Sequence, residues 1–342
     1  MTWPDWIVLV LTLVLIISYG LYKSRTSRDL DGYFLSNRSM PWYLILLSIM
    51  GTQASAVTFI SAPGQAYTDG MRFVQYYFGL PLAMVVLCIT FVPIFHKLKV
   101  YTAYEFLENR FDLRTRTLTS LLFLLQRGLS TGISIYAPAI ILSTLLGWNI
   151  NITNVLMGGL VIIYTMSGGS KAVAYTQQLQ FVIISAGMFL AAYMMVHLLP
   201  ENVGFLDAVQ VSDTLGKMNV ITTGAAEGRF NWNDRYNIWS GVIGGFFLAL
   251  SYFGTDQSQV GRYLTAKSVR QSRIGLLMNG VVKVPMQFLI LLVGALAFTF
   301  YQFNKAPVFF NQLELDKVAG SVYKDSLQQI QYQYDVLSGK KQ

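Results

Sequence analysis

Apolar residues fill this chain in long blocks parted by short polar stretches. A membrane-spanning helix needs ~17–25 mostly apolar residues. By that measure the sequence predicts eight spans, at residues 7–22, 43–61, 74–95, 118–146, 155–166, 179–199, 238–253 and 274–303, the fifth of them short. Between the fifth and sixth lies a polar, glycine-paired stretch running from Ser167-Gly168-Gly169-Ser170-Lys171 to Gln180. Glycine pairs let a backbone turn sharply, so this stretch reads as the tight link of two spans. The segment at 201–237 is long enough to hold a helix or hairpin of its own. From residue 304 the chain turns polar and mixed in charge, with a helix-compatible stretch at 313–337 whose apolar face is thin; it reads as a surface segment.

Composition agrees with a chain built against lipid. Hydrophobic residues make up 54% and charged residues 12%, and the mean hydropathy is +0.46. The net charge of +8 is spread over short loops between apolar blocks, which argues against nucleic acid as a partner and points to topology. With the N-terminus outside, the inner loops carry Lys23, Arg25, Arg28, Arg38, Lys97, Lys99, Arg110, Arg114, Arg116, Lys171, Arg262, Lys267, Arg270 and Arg273. The outer loops carry only Arg72, Lys217, Arg229 and Arg235. That asymmetry favours the N-out orientation. The first residues lack the basic start of a signal peptide, and no small-residue cleavage site follows the first apolar block, so it reads as a retained span.

Other chemistry is excluded by what is missing. One cysteine, Cys88, and two histidines, His96 and His197, build neither a disulfide framework nor a zinc site. Gly168-Gly169-Ser170-Lys171 lacks phosphate-loop spacing. No nucleophile motif or paired intramembrane carboxylates appear, so an enzyme is disfavoured and no organic cofactor is expected.

The informative residues are polar ones inside the spans. The second span contains Gly51-Thr52-Gln53-Ala54-Ser55-Ala56-Val57-Thr58. Two readings fit it equally: a broken helix whose freed carbonyls suit a small hard cation, or a continuous helix using small residues to pack closely. The seventh span repeats the theme with Gly241, Gly244 and Gly245, then Ser251-Tyr252-Phe253-Gly254-Thr255-Asp256-Gln257-Ser258-Gln259. Two glycine-interrupted spans far apart in sequence are the pattern of a transporter's central site. Lys283 lies ~15 Å into the last span, too deep to reach the nearer surface. A lysine there costs ~2.5–3.5 kcal/mol on insertion scales. It therefore needs a wet cavity or an ion pair with a carboxylate outside the visible chain, and the cavity is the favoured reading. Arg127 sits closer to its span's end and reads as an interface anchor or an internal hydrogen-bond partner. Tyr76, Tyr77 and Tyr252 offer apolar rings with polar tips.

Taken together, these residues resemble the sodium/solute symporter family over about residues 1–303. The specific pieces are Gly168-Gly169-x-x-Ala172-Val173-x-x-Thr176-x-x-x-Gln180 and Gly254-Thr255-Asp256-Gln257-x-x-Val260-x-Arg262-Tyr263-Leu264-x-Ala266-Lys267. The resemblance implies an all-α, polytopic transmembrane bundle of the five-plus-five inverted-repeat (LeuT-like) fold, forming a single transmembrane domain. It would comprise a leading helix at 7–22, a first repeat at about 43–199, the start of a second at about 238–303, and a polar extracytoplasmic loop or tail at 304–342, as in a chain cut short after its eighth span. It also implies Na⁺ as coupling ion, near Gly51, Ala54 and Ser55, with further hydroxyls from a helix beyond Gln342. A small-molecule solute would meet Thr58, Tyr76, Tyr77, Tyr252 and Lys283, and Thr176, Gln177 and Gln180 would line the inner ion route. Gln177 stands where the family signature usually carries aspartate, and Ser170 where it carries a bulky apolar residue. Positions that contact sugar in the family's galactose branch are here Thr58, Tyr77, Leu80 and Ala249, so several hydrogen bonds to a polyol are lost. A cationic Lys283 in an aromatic cavity instead suits a small organic anion such as a monocarboxylate. A sugar symporter, or a membrane solute sensor on the same fold, are the alternatives. The bacterial inner membrane is the expected location.

Overall fold

The computed structural model describes residues 3–24, 30–226 and 228–341. Arg25 and Arg28, counted above among the inner basic residues, lie outside the described residues, as do Met1 and Thr2. Fifteen α-helices follow one another: α1 (Trp3–Ser24), α2 (Leu30–Leu35), α3 (Trp42–Gln53), α4 (Ala56–Asp69), α5 (Leu80–Ile89), α6 (Phe91–Leu98), α7 (Ala103–Arg110), α8 (Leu113–Leu146), α9 (Ile150–His197), α10 (Phe205–Thr214), α11 (Gly245–Thr255), α12 (Gln257–Leu264), α13 (Val269–Phe303), α14 (Gln312–Ala319) and α15 (Lys324–Lys341). A two-residue hairpin, β1 (Ala225–Ala226) with β2 (Arg229–Phe230), is the only sheet among the described residues. The 201–237 segment thus holds both a helix and a hairpin.

Local chemistry starts and stops the long helices. Asp112 caps α8 by accepting the Thr115 N–H at 2.7 Å, and Gly147 closes it in the left-handed region. Ser268 caps α13 by accepting the Gln271 N–H at 3.4 Å. Both helices run longer than the ~20 residues a bilayer core requires. On α8, Leu121, Leu122, Leu125, Leu129 and Ile133 are exposed, an outward apolar face that water would not tolerate and acyl chains would.

Helix α13 is the axis of the bundle. It packs along α3, α4 and α5 and against a 3₁₀ turn at Gly70–Tyr77. The largest core cluster joins Leu44, Ile45 and Ile49 of α3 to Met84 and Leu87 of α5, Phe253 of α11, Tyr263 of α12 and Leu276 of α13. Close approach fixes their register. A Cβ on Gly275 would lie 2.9 Å from the Ile45 side chain, and one on Gly294 would lie 2.1 Å from the Pro63 carbonyl oxygen. Helix α13 therefore follows α3 and then α4 in the same sense.

One open reading closes and two expectations change. The second span is broken: α3 ends at Gln53 and α4 begins at Ala56, so of the two open readings the interrupted helix is the one found. The third span is also interrupted, with a 3₁₀ turn over residues 70–77 before α5, because Gly79 and Pro81 delay the helix start. The glycine-paired stretch is not a loop. Helix α9 is broken at Gly169 alone (φ 59°, ψ −168°), and residues 170–180 are helical, so the sixth span begins some ten residues earlier than the expected residue 179. The polar tail forms two largely exposed helices, α14 and α15.

Candidate functional site

The break in the second span is built by competing hydrogen bonds. Ala54 donates its N–H to the Met50 carbonyl at 2.8 Å, which closes α3. Ser55 is the cap of α4, its hydroxyl accepting the Thr58 N–H at 3.3 Å. The Thr58 hydroxyl donates back to the Gln53 carbonyl at 2.9 Å. Two short helices are thus stitched across a two-residue gap, Ala54–Ser55, and the last carbonyls of α3 have no following helical turn to bond.

Helix α9 grips this break from outside. Gln177 accepts from the Ser48 hydroxyl at 2.8 Å and donates to the Thr52 hydroxyl at 3.0 Å. A Cβ on Gly51 would lie 2.8 Å from the Gln177 Cβ, so glycine there lets the two helices close. Thr176 is buried and turns its hydroxyl to the Ala172 and Val173 carbonyls of its own helix, both at 3.0 Å. Gln180 follows one turn beyond Thr176, half-buried.

Beside the break opens a cavity of about 960 Å³. It gathers all five residues assigned to the solute from the sequence, Thr58, Tyr76, Tyr77, Tyr252 and Lys283, and Ser55 as well. Gly51 and Ala54 are not in its wall, nor are Thr176, Gln177 and Gln180. Lys283 is 1% exposed, and its ammonium lies 5.6 Å from the centre of the Tyr77 ring, within cation–π range. Among the described residues no carboxylate comes within ion-pair distance of it. Tyr252 accepts a hydrogen bond from Gln259 Nε2 at 2.7 Å, and Tyr76 donates its hydroxyl to the Arg235 carbonyl at 3.1 Å.

Two features of the cavity were not read from the sequence. Trp232, Asp234, Arg235 and Tyr236 of the 201–237 segment form part of the wall, pinned by an Arg72–Asp234 ion pair at 3.2 Å. Arg127, read as an anchor or an internal partner, is the latter: it pairs with the Asp256 carboxylate and donates to the Ser258 hydroxyl at 2.6 Å. Asp256 occupies the extended residue between α11 and α12 and accepts the Ser258 N–H at 2.8 Å. No sequence signal links positions 129 residues apart, although the Gly254-Thr255-Asp256-Gln257 motif marks one end.

The break offers main-chain oxygens and the Ser55 hydroxyl, hard donors that suit Na⁺. Among the described residues, no group of three or more His, Cys, Asp or Glu side chains is placed to hold a metal ion. Among the described residues, five helical runs are long and apolar enough to cross a membrane, and three shorter apolar helices accompany them, as befits a multi-pass membrane protein.

Comparison with known proteins gives the same answer as the geometry. Residues 33–326 match the sodium:solute symporter family. The human sodium/iodide cotransporter is 30% identical over 292 residues, covering 82% of this chain and 43% of that protein. Sodium-coupled monocarboxylate transporter 1 of Xenopus laevis is 30% identical over 289 residues, covering 80% and 44%. A solved structure of the substrate-bound, outward-open state of a Na⁺-coupled sialic acid symporter superposes with a TM-score of 0.83 at 27% identity, covering 91% of this chain and 65% of that one. The chain spans about half the length of the curated relatives it matches. These relatives are transporters and not enzymes, and the bundle is the LeuT-like fold that the residues resembled. The chain belongs to the sodium:solute symporter family.

Proposed function

We propose that this protein is a Na⁺-coupled symporter that takes up a small organic anion, most simply a monocarboxylate. The observation that carries the reading is Lys283: a buried ammonium with no carboxylate within ion-pair distance among the described residues, facing an aromatic cavity next to the broken helix. Such a charge is stable only if something anionic or wet meets it. Relatives named for iodide and for a monocarboxylate fit an anion, while a Vibrio parahaemolyticus sodium/glucose cotransporter at 28% identity keeps a sugar as the competing class. In this reading Na⁺ lies near Gly51, Ala54 and Ser55. The solute lies among Thr58, Tyr76, Tyr77, Tyr252 and Lys283, and Thr176, Gln177 and Gln180 border the inner route. Cation binding must favour the solute-accepting state, since coupling is a difference in affinity between states. The protein sits in a bacterial inner membrane with its N-terminus outside.

The test is uptake by full-length protein in vesicles, with and without an inward Na⁺ gradient, from a panel of propionate, lactate, benzoate, glucose and alanine. Gradient-driven accumulation of an acid is expected, and Lys283→Met should raise its KM at least tenfold. Accumulation of glucose alone, or an unchanged KM in the variant, would sink the anion reading. Binding without accumulation would instead mark a sensor.

A further inference from the structure

Buried polar groups on α13 fall into two kinds. Near its ends they are satisfied: the Ser272 hydroxyl donates to the Tyr263 carbonyl at 2.5 Å, and Thr299 bonds the Ala208 carbonyl at 2.9 Å and Ser212 at 2.6 Å. In the middle they are not. Both amide atoms of Asn279 and both of Gln287 are buried without a hydrogen-bond partner, and the two side chains are 0% exposed. Lys283 stands between them. The spacing of four puts all three on one face of the helix, one turn apart.

The register places that face. Because Gly275 meets Ile45 and Gly294 meets Pro63, residues 283–287 run past the Ala54–Ser55 gap. Gln53, at the edge of the gap, also lines the cavity with Lys283, and its Nε2 is another buried donor without a partner. Folds leave few buried amides unpaired, and a cluster of them marks a place for a ligand or for ordered water.

We infer that Gln53 and Lys283, which line the cavity, form with Asn279 and Gln287, buried behind that wall on the Lys283 face of α13, one polar subsite that takes the carboxylate head of the solute. The donor count selects the class. An ammonium has three donors and no acceptor, and each amide adds two N–H groups. Ordered water at the amide oxygens of Asn279 and Gln287 would leave the N–H groups in excess. A carboxylate accepts through two oxygens at about four lone-pair sites. A cation is opposed by Lys283, and a polyol needs as many acceptors as donors. The tyrosines then enclose the body of the solute. This subsite rests on the organic-anion reading and extends it to three neutral side chains.

The experiment measures the KM of whichever panel acid is accumulated, in full-length Asn279→Leu, Gln287→Met and Gln53→Met, beside Lys283→Met. Each amide variant is expected to raise the KM five- to fiftyfold, leave the Na⁺ half-saturation unchanged, and keep the melting temperature in detergent at or above that of the parent. If Lys283→Met raises the KM while the amide variants do not, the subsite is wrong and the anion reading stands. If none changes it, both fall. Should the amide variants fold poorly, Gln287→Cys in a Cys88→Ser background supplies the second measurement. The subsite requires its thiol to react with a small methanethiosulfonate and to be protected by the acid; a thiol that is inert in the presence and absence of Na⁺ would show a dry packing position and overturn the proposal.

Discussion

Gly169 carries two constraints at once. Its backbone, at φ 59° and ψ −168°, lies in a region open essentially to glycine, and a Cβ there would come within 3.0 Å of Tyr33. Holding another residue in such a conformation costs about 1–3 kcal/mol. Gly169→Ala should therefore lower the melting temperature of the detergent-solubilised protein, whereas alanine at the uncrowded Gly159 should leave it unchanged or raise it. At this scale the sequence was informative about identity and less so about context. The glycine pair was recognisable as a break, but the polar residues after it turn toward α3 and not toward water: Gln177 spends its amide on Ser48 and Thr52. A polar helix face buried against another helix reads, in a hydropathy window, like a loop.

Between elements, the Arg127–Asp256 pair ties α8 to the joint of α11 and α12. The side chains are 32% and 12% exposed, so the pair is partly shielded. Removing one partner leaves a charge with reduced solvation and costs less than the ~3–5 kcal/mol of a fully buried pair. Arg127→Ala and Asp256→Asn are each expected to destabilise by about 1–2 kcal/mol, and the double variant by less than their sum. A double-mutant cycle in thermal or denaturant unfolding checks this; additivity would mean the two groups do not couple. The helices themselves were legible from their apolar blocks, and the breaks after Gln53 and at Asp256 fell where Gly, Ser, Thr or Asp cluster in otherwise apolar runs. What could not be read was partnership over distance. Nothing near Arg127 announces Asp256, and nothing in the polar 201–237 segment announces that Trp232 and Tyr236 help wall the cavity.

For the molecule as a whole, the distribution of basic residues predicts a definite orientation. With the N-terminus outside, Arg114 at the start of α8 faces the cytoplasm and Trp232, which is 88% exposed, faces outward. In a Cys88→Ser background, Trp232→Cys should react with an impermeant maleimide added to intact cells, and Arg114→Cys only after the membrane is opened. The reverse pattern would invert the topology. The apolar exterior of α8 belongs to the same picture, since it is the surface on which the bundle meets acyl chains.

The interrupted second span has a consequence for how the protein is made. At 12 and 14 residues, α3 and α4 each reach only ~18–21 Å, short of the ~30 Å hydrocarbon core. Their companion is α13, joined to α3 at the Trp42 N–H and Gln271 side chain, 229 residues later. At a synthesis rate of roughly 5–20 residues per second, the broken segment waits about 10–50 s for that companion, with Ser48 and Thr52 already met by Gln177 of α9 but the gap not yet covered by α13. Nascent chains released before Val269 should accordingly be cleared by membrane proteases, while chains released after Phe303 persist. Pulse-chase of graded truncations would locate the transition, which marks the moment at which the newborn bundle can first shelter its own defect.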